Sequence, residues 1–215
     1  MPEANHAKPA VSAQFCFDFG SPNAYLSHKV LPRIAARTGV PFEYVPVLLG
    51  GLFRLTGNRS PAEAFAGIKN KQEYGRLEVR RFVARHGLDA YRPNPHFPVN
   101  TLQLMRGAVA TRIDDKSDGT FARYVDAIFK AMWEDGKKMD DPAIFAATLG
   151  EAGFDPEAFV ARIGQADVKQ TLIDNTQAAF DRGAFGSPTF FVNDEMWFGK
   201  DALPAVEEEI LRVKG

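Results

Sequence analysis

Ser21 stands where a strand passes into a helix, and its surroundings favour chemistry at a helix end. It lies between Gly20 and Pro22. Serine is a favoured N-cap and proline a favoured first helical residue, so a helix is predicted to begin here. The free N–H groups and the dipole of a helix N-terminus favour an anion. Ser21 is therefore a candidate site residue; the alternative is a cap alone, worth about 1 kcal/mol.

A second candidate segment is Ser187-Pro188, directly ahead of an apolar strand. Proline is excluded from the centre of a strand ladder and marks a turn. A cis bond at this proline would leave the backbone of Ser187 free to pair with an extended ligand. The alternative is an ordinary trans proline in a turn.

The third candidate segment is Gly199-Lys200-Asp201, at the start of the last predicted helix. Asp201 has the residue type of an N-cap, and capping is its simplest role. Its carboxylate is also suited to a ligand ammonium group. Lys200 and the nearby backbone N–H groups would then bind a ligand carboxylate.

Cys16 is the single cysteine of the 215 residues. One cysteine excludes an intramolecular disulfide, a dithiol redox centre and a cysteine-rich metal site, and we predict no metal. The alternating pattern of 13–19 predicts a strand that buries Cys16. We expect His6, His28, His86 and His96 at the surface, with none placed to activate Ser21 as a nucleophile.

The net charge of −1 gives no field that would attract nucleic acid or an anionic membrane. Residues 1–12 contain no apolar run suited to a secretory signal, and no segment approaches 18 apolar residues. We therefore expect a cytoplasmic protein with neither a nucleic-acid partner nor a membrane partner.

The apolar patterns predict an α/β fold of order βαβ, a long helical block, then αββα. Strand 13–19, helix 21–37 and strand 42–47 form a βαβ unit, whose strands should be parallel. A hairpin is predicted at 189–198 and a closing helix at 201–213. The predicted helices between them are 63–86, 101–113, 120–135 and 166–182, with two short helices opening at Asp141-Pro142 and Asp155-Pro156.

These patterns divide the chain into a discontinuous α/β domain and an insertion. The α/β domain comprises 13–48 and 168–215, the all-helical insertion 49–167, and residues 1–12 a flexible tail.

Several segments in the same order resemble the 2-hydroxychromene-2-carboxylate isomerase family, which is related to kappa-class glutathione transferases and to DsbA oxidoreductases. The resemblance covers about 15–210. It rests on FDFGSPNAYL (17–26), LLGGLF (48–53), GN (57–58), FPVNTL (97–102), FGSPTFFV (185–192) and WFGKD (197–201), with Lys71 three residues before Tyr74.

The resemblance implies a thioredoxin-like fold, a cis bond between Ser187 and Pro188, a homodimer, and glutathione as cofactor. Many relatives carry Ser, Asn or Gln where this chain has Lys200. The substrate-binding positions implied are Arg54, Asn58 and Lys71. The cofactor-binding positions implied are Ser21, Ser187, Pro188, Phe198, Gly199, Lys200 and Asp201.

The resemblance implies that Ser21 is catalytic and stabilises the glutathione thiolate, since 21–24 replaces the Cys-x-x-Cys of the oxidoreductases. Reversible addition of that thiolate would let a double bond of an aromatic carboxylate substrate rotate. The expected function is isomerisation of 2-hydroxychromene-2-carboxylate or a similar intermediate of aromatic catabolism. The alternatives are a kappa-like glutathione transferase and a non-catalytic binding module of the same fold.

Overall fold

A computed structural model describes residues 11–215. The strands are β1 (Ala13–Phe17), β2 (Phe42–Pro46), β3 (Thr189–Val192) and β4 (Glu195–Phe198). They form one sheet of order β2-β1-β3-β4, with β1 parallel to β2 and antiparallel to β3. The predicted βαβ unit and hairpin are both present, and the predicted thioredoxin-like α/β fold with a helical insertion is confirmed.

Most of the helices lie in the block between β2 and β3. Within the described residues the helices are α1 (Pro22–Thr38), α2 (Leu49–Thr56), α3 (Pro61–Ala64), α4 (Lys71–His86), α5 (Leu102–Asp114), α6 (Thr120–Trp133), α7 (Pro142–Glu151), α8 (Pro156–Ile163), α9 (Ala166–Asp181) and α10 (Leu203–Lys214). No helix within 11–215 has the length and apolar character needed to cross a bilayer.

The caps that begin these helices agree with the sequence patterns. Ser21, Asp141 and Asp155 each accept a backbone N–H in the first turn of their helix, and a proline follows each of them. Helix α1 ends at Gly39, whose φ of 69° is left-handed and whose N–H donates to the Ala35 carbonyl at 2.8 Å. Helix α1 is therefore fixed at both ends by local sequence.

Two predicted helices differ in the structure. The predicted helix 63–86 is divided into α3 and α4, because a turn intervenes and Asn70 adopts a left-handed φ of 69°. Asp201 is not an N-cap: it lies inside a single 3₁₀ turn, Lys200–Ala202, and α10 begins after it. The carboxylate of Asp201 is thus not used as a helix cap.

An aromatic core joins the helical block to the sheet. The Phe15 ring stacks on Phe17 and Phe190, with centroids 5.5 and 5.4 Å away. Phe19, just after β1, packs edge-on to Phe129 of α6 at 4.7 Å. The Phe19 carbonyl accepts a hydrogen bond from Trp133 Nε1 at 2.8 Å. The turn that carries Ser21 is therefore anchored to the insertion.

The division into domains stays a prediction. The proposed boundary at 167/168 falls in the first turn of α9. The predicted tail, 1–12, lies outside the described residues except for Val11 and Ser12. Ser12 pairs with the hairpin, since its N–H donates to Asn193 Oδ1 at 3.0 Å and its carbonyl accepts from Asn193 N–H at 2.8 Å.

Candidate active site

Ser21 caps α1 and also bonds to the loop ahead of β3. Its buried Oγ accepts from Ala24 N–H at 3.2 Å and donates to the Ser187 carbonyl at 2.8 Å. The two sequence interpretations of Ser21, cap and site residue, are therefore compatible. Because the hydroxyl proton is directed at Ser187, a ligand anion would have to redirect it.

The loop ahead of β3 presents backbone groups beside Ser21. The peptide bond between Ser187 and Pro188 is cis, as the resemblance implied. The Pro188 carbonyl accepts from Gly199 N–H at 3.0 Å, which links this loop to the end of β4. Within 11–215, neither Ser187 N–H nor Asn23 N–H donates a hydrogen bond. Two free donors thus accompany the Ser21 hydroxyl.

Asp18 is a central residue of this region that the sequence reasoning did not select. Its side chain is fully buried, and its carboxylate accepts Gly20 N–H at 2.8 Å and Leu49 N–H at 2.7 Å. Burial raises the pKa of Asp18, while hydrogen bonds from Leu49, Gly20 and Thr101 lower it. The only sequence signal that could have selected Asp18 is its charge between two aromatic residues, Phe17 and Phe19.

Phe198 and Asn58 both contact Phe185, which lies in the loop ahead of β3. The Phe198 ring lies 4.4 Å from the ring of Phe185, centroid to centroid, and both are partly exposed. Asn58 Nδ2 donates to the Phe185 carbonyl at 3.0 Å. A Cβ on Gly186 would lie 2.9 Å from Phe198 Cε2, so glycine permits this close packing. The structure thus brings Asn58 to the segment that precedes Ser187.

Lys200 turns inward, and Asp201 remains at the surface. The Lys200 side chain is 4% exposed, and its Nζ lies 5.2 Å from the centre of the Phe82 ring. It forms an ion pair with Asp201, whose side chain is 70% exposed. Both residues line a cavity of about 260 Å³ between α1, α4 and α10. The buried Lys200 ammonium thus offsets the charge of Asp201, while most of the Asp201 side chain remains exposed to solvent.

Arg54 and Lys71 lie on exposed helical surface. Arg54 is in the last turn of α2, and Lys71 begins α4 with its Nζ 5.2 Å from the Phe65 ring centre. In the part of the chain that the structure describes, neither makes an ion pair or a side-chain hydrogen bond. The structure does not bring them into contact with Ser21 or Ser187.

The family of this chain follows from its match to a known domain. The model of the DSBA-like thioredoxin domain matches residues 13–211. The chain belongs to that family. A DSBA-like domain normally suggests thiol redox chemistry, yet this member has serine at the start of α1.

Two curated relatives of this DSBA-like domain are named as an isomerase and a transferase. A 2-hydroxychromene-2-carboxylate isomerase of Pseudomonas putida is 28% identical over 199 residues, which are 93% of this chain and 94% of the relative. A glutathione S-transferase kappa 1 of Caenorhabditis elegans is 25% identical and covers 90% of this chain and 88% of its own length. The resemblance predicted from the sequence is confirmed, and these relatives are enzymes by name.

Solved structures agree on the fold. A 2-hydroxychromene-2-carboxylate isomerase superposes with a TM-score of 0.76 at 28% identity, covering 94% of this chain and 95% of that one. A probable DsbA oxidoreductase from Streptomyces coelicolor also reaches 0.76, at 19% identity, covering 96% and 91%. The second likeness concerns the fold alone.

The single cysteine of this DSBA-like domain is buried and unsuited to thiol redox chemistry. Cys16 lies in β1, 2% exposed, packed with Val47, Leu52 and Phe191. Burial raises the pKa of its thiol to about 12. Since the thiolate is the reactive form, Cys16 is inert at neutral pH.

His28 is not the surface residue that we expected. It is buried: Nδ1 lies 3.0 Å from Tyr44 Oη, and Nε2 lies 2.9 Å from Asp126 Oδ1. Its partners come from β2 and α6, so the contacts were not visible along the chain. His86 and His96 are at least partly exposed, and His6 lies outside the described residues.

Proposed function

We propose that this protein is a glutathione-dependent isomerase that acts on 2-hydroxychromene-2-carboxylate or a similar aromatic intermediate. The observation that carries the proposal is Ser21 at the N-terminus of α1, hydrogen-bonded to the carbonyl ahead of a cis proline. The names of relatives matching more than nine-tenths of the chain support the reaction type.

The residues present fit a γ-glutamyl peptide that carries a thiol. The unused N–H of Ser187 and its carbonyl suit the backbone of an extended peptide. The exposed carboxylate of Asp201 suits an ammonium group. Among the described residues, Lys200 N–H and Asp201 N–H have no hydrogen-bond acceptor, and they suit a carboxylate. Lys200 would therefore act through its backbone, with its ammonium holding Asp201.

Each residue at the helix end has a defined role in the proposed chemistry. Bound glutathione would supply a thiolate that adds reversibly to an unsaturated substrate, so that a double bond becomes single and can rotate. Ser21 would redirect its hydroxyl proton from Ser187 to the anion, a charge-assisted hydrogen bond. Asn23 N–H and the dipole of α1 would add to the stabilisation.

We propose substrate recognition for two exposed cations of the insertion, Arg54 and Lys71, although neither contacts Ser21 or Ser187. The proposed substrate is an aromatic carboxylate, and Arg54 and Lys71 carry no competing ion pair within residues 11–215. Asn58, which donates to the Phe185 carbonyl, would hold the substrate near the loop ahead of β3. The partly exposed rings of Phe185 and Phe198 offer an apolar face to an aromatic ring.

The test is turnover of 2-hydroxychromene-2-carboxylate with and without glutathione, accompanied by calorimetric titration of glutathione alone. Turnover that requires glutathione and saturates with it is expected. If glutathione binds but the substrate is not turned over, the proposed isomerisation is wrong, while glutathione remains the proposed cofactor.

A kappa-like glutathione transferase is the second candidate, supported by the kappa 1 relatives. It would release a stable conjugate, whereas the isomerase regenerates glutathione. Incubation with chlorodinitrobenzene followed by mass spectrometry of small molecules separates the two. A non-catalytic binding module of the same fold predicts that glutathione does not bind at all in the calorimetric titration.

The proposal includes a homodimer, which the family resemblance implies, and a cytoplasmic location, which the composition of the sequence favours. The exposed apolar side chains of Phe65, Ile68 and Tyr74, around the start of α4, suit contact with a second copy. Light scattering of the purified protein measures the state directly, and a monomeric mass would contradict this part.

A further inference from the structure

The carboxylate of Asp18 replaces a missing helix cap. Helix α2 begins at Leu49 without a side-chain cap, since the residue before it is Leu48. Asp18 Oδ2 instead accepts Leu49 N–H at 2.7 Å, across 31 positions of sequence. An aspartate at a helix N-terminus satisfies a free N–H and complements the dipole. The start of the insertion is thereby held against the β1–α1 turn.

The same residue also fixes the turn and the loop ahead of β3. Asp18 Oδ1 accepts Gly20 N–H at 2.8 Å, which shapes the turn just before Ser21. The backbone N–H of Asp18 donates to Ser187 Oγ at 3.1 Å, and its carbonyl accepts Ser21 N–H at 3.0 Å. Ser187 is thus held from two sides, by Asp18 at its hydroxyl and by Ser21 at its carbonyl.

A second segment of the insertion lies beside this carboxylate. Thr101, which precedes α5, is close to the turn: a Cβ on Gly20 would lie 3.1 Å from Thr101 Cγ2 and 3.3 Å from Asp18 Oδ1. The Thr101 hydroxyl is one of the groups that lower the pKa of Asp18 against the effect of burial. The two carboxyl oxygens thus have separate partners, Gly20 N–H at Oδ1 and Leu49 N–H at Oδ2.

We propose that Asp18 is a positioning residue: its carboxylate holds α2 and the β1–α1 turn together and thereby positions Ser21 and Ser187 for glutathione. This inference rests on the proposed function. It adds a residue that contacts neither cofactor nor substrate and acts through Ser21.

The deciding variant is Asp18→Asn, which keeps the shape and replaces one acceptor oxygen with an NH₂ group. That group would face Gly20 N–H or Leu49 N–H, donor against donor. The matched control is Asp155→Asn, since Asp155 also accepts two backbone N–H groups, at 3.0 and 3.2 Å, at the start of α8. Asparagine caps as well as aspartate, so the control should change little.

We expect Asp18→Asn to raise the glutathione Kd and lower kcat about tenfold or more, with the KM for the aromatic substrate nearly constant. The control should match the wild type. In a Ser21→Ala background the cost of Asp18→Asn should shrink, because the positioned hydroxyl is already gone. Equal costs in both backgrounds would show a merely structural role and overturn the proposal.

Hydrogen exchange tests the positioning without glutathione. In Asp18→Asn, amides of 18–24 and 49–52 should exchange faster, while α8 is unchanged. Unchanged exchange overturns this inference whatever the enzyme does. Faster exchange in a protein whose wild type fails to bind glutathione supports the positioning role of Asp18 and rejects the proposed function. Should Asp18→Asn not fold, Thr101→Val removes the hydroxyl that lies near the carboxylate and should give the same changes at smaller size.

Discussion

Cys16 and Ser21 lie on either side of the same strand-to-helix turn, and their environments are opposite. Cys16 is enclosed by apolar side chains, and burial raises its pKa to about 12. Ser21 stands at a helix end, beside N–H groups of Asn23 and Ser187 that donate no hydrogen bond within 11–215. One position suppresses a thiolate, and the other would stabilise one.

The contrast shows that position, more than residue type, decides whether this fold does sulfur chemistry. The thiol of Cys16 is buried where a thiolate is disfavoured, whereas the hydroxyl of Ser21 lies at a helix end where a thiolate would be stabilised. A cofactor that brings its own thiol would complete the site.

Substituting Ser21→Cys should create a thiol far more reactive than Cys16. Helix N-termini lower cysteine pKa values to roughly 3.5–7.5, which makes much of the new thiol ionised at neutral pH. We expect alkylation by iodoacetamide to accelerate at least about a thousandfold over the wild type, by peptide mass spectrometry. If both cysteines react equally slowly, the helix end does not stabilise a thiolate.

Removing the hydroxyl with Ser21→Ala should lower glutathione-dependent kcat/KM about ten- to a hundredfold, the cost of one charge-assisted hydrogen bond. Ser27→Ala is the matched control, because Ser27 is buried on the same helix and its Oγ has no partner within the described residues. Full activity in Ser21→Ala would remove Ser21 from the mechanism.

Introducing a hydroxyl with Cys16→Ser should affect stability and leave catalysis unchanged. The new hydroxyl would be buried among apolar groups, and such burial costs about 1–3 kcal/mol in proteins. Urea unfolding measures the loss, and the glutathione assay should give wild-type rates. A changed rate at full folding would place Cys16 in the chemistry.

Short-range signals let the sequence predict the fold and the position of Ser21. The signals for the cap at Ser21-Pro22 and for the hairpin turn at Asn193-Asp194 are carried by residues that are adjacent in sequence. The order of such local elements identifies a thioredoxin-like chain with its insertion. The apolar pattern predicted too long a helix at 63–86, because it does not reveal the turn between α3 and α4, where Asn70 has a left-handed φ.

What the sequence could not give are contacts between distant segments. Asp18 meets Leu49 and Ser187 only because α2 and β3 pack around one turn. Lys200 was expected to face the ligand, and its long stem instead carries the ammonium over Phe82. Such pairings depend on the packed fold, and no spacing along the chain encodes them.

His28 gives the smallest expected effect, because its partner is largely exposed. Its hydrogen bond to Asp126 lowers the pKa of that carboxyl, whose side chain is 69% exposed. A depressed folded-state pKa gives stability that is present above the unfolded value of about 3.9 and is lost as pH falls through the folded value. Asp126→Asn should therefore lose less stability than the wild type on acidification below about pH 4, by at most about 1 kcal/mol. Asp89→Asn, on exposed surface, should follow the wild type. Parallel curves for all three proteins would contradict this prediction and would mean that the bond linking α1 to α6 makes no pH-dependent contribution to stability.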